Sequence, residues 1–289
     1  MLNSLPRYAW VTLLTRDQFF QGVRVLARSL KKSNSIYPIV VIHTSNVSQQ
    51  NLELLSKEGC LIRLVDFVDP QPNRRLNYIW ERYADTWTKL QAWNLTDYER
   101  VTLLDADMLV LKNMDEVFDV LDQSPLSLAA ANACTCNPFK QESYPKHWIP
   151  AHCAHTIYEN AATSNIDASV SKGTHEYFNS GLLVLAPSQN LFQRMVRELN
   201  KTQNLDRYTF PDQDFLNEIF RHSWIPLPYI YNALKPMKYC HPKMWSLADI
   251  KNIHYILEKP WDVDLTDRKS LGPFDDLYKL WWDVQSELS

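Results

Sequence analysis

Short apolar runs alternate with segments of helical period along the opening stretch of the chain. Tyr8–Leu14 is short and rich in β-branched and aromatic residues, which predicts a strand. Asp17 then caps a helical pattern in which Phe20, Val23, Leu26, Ala27 and Leu30 recur on one face. Tyr37 to His43 is almost continuously apolar, as in a parallel-sheet strand covered on both faces. A helix is predicted over Ser48–Glu58 and a third strand over Cys60–Val65. Strand, helix, strand, helix, strand spells βαβ units, hence a parallel sheet with right-handed crossovers. Such an architecture suits nucleotides without being specific to them.

Residues 74–82 are charged and aromatic and predict a loop, and Thr86–Leu95 predicts a helix carrying Lys89 toward the next strand. That strand is the apolar run Val101–Val110, whose only charges are Asp105 and Asp107, expected where the strand runs out. On an extended backbone the two carboxylates share a face, because side chains alternate with period two. Carboxylates in an apolar sheet are costly unless paired, hydrogen-bonded or bound to a metal. A divalent cation held between them and a distant partner would compensate both; Mg²⁺ and Mn²⁺ prefer carboxylate oxygen and complete their shells with substrate phosphates. A turn with both acids solvated fits the local sequence equally well.

Met114–Leu121 predicts a short amphipathic helix and Ser127–Ala131 a strand. Asn132 to Gly173 is long and poor in periodicity, and a loop of that length is usually functional or mobile. Tyr177–Leu185 predicts a strand that opens on Asn179 and Ser180, which suit either a hydroxylated ligand or a turn. Pro211 opens a helix with Asp212 and Asp214 in its first turn. A late strand is expected over Ile253–Leu257, and Pro273–Leu288 predicts an amphipathic helix whose Trp281-Trp282 pair packs on the body. Without repeat or linker, residues 1–289 read as a single domain.

Composition narrows the chemistry. With five glycines, and neither G-x-G-x-x-G nor a Walker motif after the first strand, a glycine-rich phosphate cradle is disfavoured. Any bound diphosphate then needs another counter-charge, for which a metal is the natural candidate. A net charge of −3 leaves no electrostatic footprint for nucleic acid or an anionic membrane. The N-terminal residues lack a signal-peptide pattern, and no 18-residue uncharged apolar run occurs, so a soluble cytosolic protein is expected. Five cysteines without framework spacing predict reduced thiols. Cys134, Cys136, His147, His152, Cys153 and His155 offer atoms that zinc favours, but the spacings match no finger pattern. Loop residues and buried thiols are the expectation there.

Seven motifs stand in order: Val-Thr-Leu-Leu-Thr at 11–15, Thr-Lys-Leu at 88–90, Leu-Asp-Ala-Asp at 104–107, Phe-Asn-Ser-Gly at 178–181, Asp-Gln-Asp-Phe-Leu-Asn at 212–217, Tyr-Asn at 231–232, and His-Tyr with Lys-Pro-Trp at 254–261. Together they resemble the glycosyltransferase family 8 proteins, the group containing glycogenin and plant galactinol synthase. Gly59-Cys60, Cys240-His241-Pro242 and Trp281-Trp282-Asp283 look more like the galactinol synthase branch.

The resemblance implies an α/β GT-A fold, Rossmann-like, with a mixed central sheet flanked by helices. It also implies a UDP-sugar donor, a Mn²⁺ ion and transfer with retention of configuration. The half near residues 1–110 would bind UDP, and the half near 111–289 the sugar and acceptor. Carried over residue by residue, Asp105, Asp107 and His254 would hold the metal, with Ala106 between the acids. Lys89 and Lys259 would add positive charge. Val11, Thr12, Leu13 and Phe19 would face the uracil and ribose. Asn179, Ser180, Asp212 and Gln213 would line the donor sugar, with Gln213, Asp212 and Lys89 in the catalytic roles. Gln213 would stand opposite the leaving group, but an amide is a poor nucleophile, so internal return is equally open and the two-carboxylate glycosidase template does not transfer.

Three positions depart from the family pattern. Asn132 replaces an aspartate near the sugar, Thr209 replaces an acid ahead of Asp-Gln in glycogenin, and the glycine between His254 and Lys259 is missing from a shortened loop. Tyr239 falls where glycogenin-like proteins carry their self-glucosylated tyrosine, a position at which galactinol synthases have a tryptophan. The expected activity is transfer of a hexose from UDP-glucose or UDP-galactose to a small hydroxylated acceptor, such as the polyol myo-inositol. The alternative is a self-glucosylating primer, and a homodimer is open to either. A haloacid-dehalogenase-type phosphatase would also carry an Asp-x-Asp strand, but at the start of its fold rather than after a series of βα units.

Overall fold

In a computed structural model the described residues are 7–70, 81–161, 176–266 and 271–288. Most of the loop expected over 74–82, and residues 162–173 of the long segment, lie outside them. Strand β1 (Tyr8–Leu14) lies between β2 (Ile39–His43) and β4 (Arg100–Leu104), parallel to both, and β3 (Leu61–Leu64) adds to β2 in parallel. The βα reading of this part therefore holds, with α1 (Phe20–Lys32) and α2 (Gln49–Lys57) as the connecting helices. Period two divides β1 between two cores: Trp10 and Leu14 face one, Ala9 and Val11 the other. Helix α1 buries Val23, Leu26 and Leu30 in the first.

The sheet then becomes mixed. Strand β7 (Phe178–Leu185) runs antiparallel to both β4 and β6 (Leu128–Asn132), and β8 (Ile225–Leu227) runs parallel to β6. The seven strands lie in the order β3-β2-β1-β4-β7-β6-β8.

The run Val101–Val110 is not one strand. It divides into β4 and β5 (Met108–Val110), and β5 leaves the main sheet for a small one of order β5-β10-β9, with β9 (Ala233–Leu234) and β10 (Asn252–His254). Asp105 and Asp107 occupy the turn between them, so the shared-face geometry of an extended strand does not apply. The cause is tertiary: β5 pairs antiparallel with β10, a partner that local sequence does not announce.

Other elements shift in similar ways. The helices expected over 86–95 and 114–121 adopt tighter 3-10 geometry over Glu81–Asn94 and Asp115–Leu121. The late strand ends at His254, and Leu257 adopts φ 69°, a left-handed conformation that no strand continues through. Within the long aperiodic segment, α3 (Ala154–Ala161) is helical, and α4 (Gln189–Lys201) is a helix the apolar pattern did not disclose. Helix α5 (Pro211–Ile219) follows, then the short α6 (Met237–Cys240). The last helix, α7 (Asp275–Ser286), buries Leu277, Tyr278 and Trp281 in a third core with Ile253 and Tyr255. No helix among the described residues is long and apolar enough to cross a membrane.

Candidate active site

The turn between β4 and β5 is fixed at both ends by other strands. Asp105 N–H donates to Gly181 O of β7 at 2.8 Å, and Tyr255 N–H donates to Asp107 O at 2.8 Å. Two glycines make the close approach possible. A Cβ on Gly22 of α1 would lie 2.6 Å from Ala106 O and 2.6 Å from the Trp261 ring. A Cβ on Gly181 would lie 2.3 Å from Cε1 of His254. His254, at the end of β10, thus packs against a strand backbone that only glycine leaves open.

A chain of amides sets the tautomer of His254. Gly181 N–H donates to Asn179 Oδ1 at 3.0 Å, and Ser180 N–H to Gln213 Oε1 at 3.1 Å; both donors are backbone and therefore unambiguous. Asn179 Nδ2 then donates to Gln213 Oε1 at 2.9 Å, while Asn232 Nδ2 donates to Asn179 Oδ1 at 2.9 Å. Asn232 must turn its own Oδ1 toward His254 Nδ1, 3.0 Å away, so Nδ1 carries the proton and donates. Nε2 consequently faces Asp107 Oδ1 at 3.3 Å and Asp105 Oδ2 at 3.7 Å. Three electron-rich donors converging in this way require a cation between them, either a proton or a metal ion. The ligand atoms of all three residues lie within 4.8 Å of one another, so the donor set fits a hard divalent ion.

Ammonium groups surround the carboxylates. Lys89, 8% exposed, bridges Asp105 at 2.8 Å and Asp212 at 3.1 Å, and Lys259 pairs with Asp107. Burial opposes the charge on Lys89, but Asp105 and Asp212 outweigh it and hold the ammonium above its ordinary range. Burial likewise raises Asp107, yet Lys259 and His254 more than reverse it and keep that carboxylate ionised. For Asp105 burial prevails over Lys89, with the nearby Asp107 adding to the rise. Asp212 also accepts from Ser180 Oγ at 2.8 Å, which ties the lysine bridge to the strand carrying Asn179.

These groups open onto a cavity of about 230 Å³. Of the residues singled out in the sequence, Leu13, Phe19, Lys89, Asp105, Ala106, Asp107, Asn179, Ser180, Asp212, Gln213, His254 and Lys259 line it. Val11 and Thr12 are wholly buried in β1 and do not. Gln213 is held at both ends, since its Nε2 donates to Tyr177 Oη at 3.0 Å. Tyr239 is 60% exposed and stacks on Phe139 outside the cavity lining.

Sequence reasoning missed an aromatic wall on the cavity. Trp148 stacks on Phe210 with centroids 4.9 Å apart, and Tyr144 meets both edge-on. Its one signal was a pair of large aromatics inside the aperiodic stretch. It also missed Asn232 as the hydrogen-bond partner of His254, because Tyr231-Asn232 stood out only as a motif.

The crystal structure of galactosyltransferase LgtC in complex with donor and acceptor sugar analogs superposes on this chain with TM-score 0.68 at 17% identity, covering 97% of this chain and 96% of LgtC. The fold is thus that of the GT-A glycosyltransferases. Residues 10–264 match the model of Glycosyl transferase family 8, and the chain belongs to that family. It is similar to galactinol synthase 4 of Arabidopsis thaliana, 30% identical over 290 residues, covering 98% of this chain and 83% of the relative. It is likewise similar to galactinol synthase 6 of the same plant, 32% identical over 289 residues, covering 97% and 81%.

Proposed function

We propose that the protein transfers a hexose from UDP-galactose or UDP-glucose to a small hydroxylated acceptor such as myo-inositol, with Mn²⁺ and with retention of configuration. The observation that carries this reading is the convergence of Asp105, Asp107 and His254, with Lys259 against Asp107, on the wall of the cavity. The similarity to galactinol synthases supports a polyol acceptor.

Asp105, Asp107 and His254 would hold the metal, which when bound supplies positive charge to the diphosphate as it leaves. Leu13 and Phe19 would contact the nucleoside end. The side chains of Val11 and Thr12 point into the cores, so they would contribute through backbone atoms. Asn179, Ser180 and Asp212 would orient the sugar hydroxyls, with Lys89 holding the Asp212 side chain in place by its 3.1 Å contact. The oxygen of Gln213 already accepts from Asn179 and Ser180, which lowers its nucleophilicity and favours attack by the acceptor on the leaving-group side. In that step the acceptor oxygen bonds to the anomeric carbon, the bond to UDP breaks, and the acceptor proton passes to the departing phosphate oxygen.

The division proposed from the sequence, nucleotide toward the N-terminal half and sugar with acceptor toward the C-terminal half, would in this reading be crossed by His254 and Lys259, which would stand beside the diphosphate. The aromatic wall of Tyr144, Trp148 and Phe210 is suited to the apolar face of a ring. Tyr239 lies outside the cavity lining, which favours a diffusible acceptor over self-glucosylation. A cytosolic location is part of the same proposal, checked by cell fractionation.

The test is incubation with UDP-galactose or UDP-glucose, Mn²⁺ and a polyol panel, followed by mass spectrometry of small molecules and intact protein. A hexosyl polyol with unmodified protein supports the reading. Hexose added to the protein's own tyrosine overturns it in favour of a primer.

A further inference from the structure

A second convergence of ligand-type side chains lies beside the cavity, at Cys134 on its wall. Cys134 and Cys136 follow β6, Cys153 precedes α3, and Cys240 and His241 end α6. His241 is 1% exposed, and its Nε2 lies 3.4 Å from Cys134 Sγ, 3.2 Å from Cys136 Sγ and 3.5 Å from Cys153 Sγ. Cys134 Sγ is 4.0 Å from Cys153 Sγ and 3.5 Å from Cys240 Sγ. The ligand atoms of Cys134, Cys136, Cys240 and His241 all lie within 4.8 Å of one another.

A single ring nitrogen has one hydrogen or one lone pair to offer, so hydrogen bonding does not explain three sulfurs gathered around it. Tetrahedral zinc does. Zn–S near 2.3 Å and Zn–N near 2.0 Å place sulfur–sulfur edges at about 3.8 Å and sulfur–nitrogen edges at about 3.5 Å. The observed edges fall around these values. On the far side of the ring, Glu159 Oε2 faces His241 Nδ1, otherwise unpartnered among the described residues, at 3.5 Å, near the place a carboxylate takes when it orients a metal-bound imidazole.

We propose that Cys134, Cys136, Cys153 and His241 bind a structural zinc ion. Cys240 lies within the same 4.8 Å but is left out of the set, because its Sγ lies 3.2 Å from Pro236 O, the contact of a protonated thiol with a carbonyl rather than of a thiolate. Four protein donors fill a tetrahedral shell and leave no place for substrate, so the ion holds structure rather than performing chemistry. It ties the loop after β6 to the end of α6, positions 107 residues apart between Cys134 and His241, and so braces the cavity wall that Cys134 contributes. The proposal does not depend on the transferase reading.

Zinc content of the full chain, purified without a histidine tag or added metal, is measured by inductively coupled plasma mass spectrometry. About one zinc per chain is expected, with X-ray absorption reporting sulfur near 2.3 Å and nitrogen near 2.0 Å. Cys136→Ser, Cys153→Ser and His241→Ala should lose most of the metal, while Cys240→Ser keeps it. If the loss variants fold poorly, the X-ray absorption of the unaltered protein still reports the three-sulfur, one-nitrogen shell. Folded protein free of zinc, or a thiol count showing a disulfide within the cluster, overturns the site. Retention in Cys153→Ser with loss in Cys240→Ser overturns the ligand set.

Discussion

The two clusters, one lining the cavity and the other reaching it only through Cys134, are built from different chemistry. Asp105, Asp107 and His254 present hard oxygen and nitrogen donors, carry lysine counter-ions, and open onto the cavity. Cys134, Cys136, Cys153 and His241 present three sulfurs and one nitrogen, and the carboxylate of Glu159 stands behind the imidazole instead of among the donors. A site that must take up and release a charged substrate needs open coordination and balancing charge; a site that only ties two segments together needs neither. In the proposed reading the contrast separates a centre for turnover from one for architecture within the same chain.

The largest expected effect tests the lysine framework of the first cluster. Lys89→Met leaves Asp105 and Asp212 buried without their shared cation and should cost about 3–5 kcal/mol, read from the urea unfolding midpoint. An unchanged midpoint would mean the bridge is compensated elsewhere. Next, Asn232→Ala removes the acceptor that fixes the tautomer of His254 and should weaken Mn²⁺ binding about 10–100-fold in calorimetry, with the fold retained. Undiminished affinity would detach the amide chain from the metal assignment. The smallest effect sharpens the second cluster. Cys60 is a buried thiol remote from the other four, pushed up to about 12 by burial, so it stays protonated. Cys60→Ser should cost about 1–3 kcal/mol for an unpaired hydroxyl in an apolar core and leave zinc content unaltered.

The sequence disclosed the parallel β1–β4 region because its strands are short and apolar, with β1, β2 and β4 covered on both faces and only the edge strand β3 left half-open. It also brought Asp105, Asp107 and His254 together, through family resemblance rather than periodicity. The turn that carries the two acids stood only as an equal alternative to a continuous strand, since Val101–Val110 is apolar on both sides of the acids and only pairing with β10 divides it. Helix α4 was missed because it buries only Met195 and Leu199, a faint stripe on a polar surface. Cys134, Cys136 and Cys153 stood out as atoms that zinc favours, but their imidazole, His241, escaped because it lies 88 residues beyond Cys153, outside any local spacing pattern. The amide chain from Gln213 to His254 depends on hydrogen-bond directions that exist only once β7, α5 and β10 meet.

The central claim is that the Asp105–Asp107–His254 site releases sugar from a nucleotide donor. Its most direct measurement is UDP release from UDP-galactose and UDP-glucose, with Mn²⁺ and myo-inositol, by the unaltered protein and by Asp107→Ala. Polyol-dependent release by the former, falling about 10²–10³-fold in the latter with an unchanged circular dichroism spectrum, is the predicted result. Equal release by the two proteins would contradict the assignment.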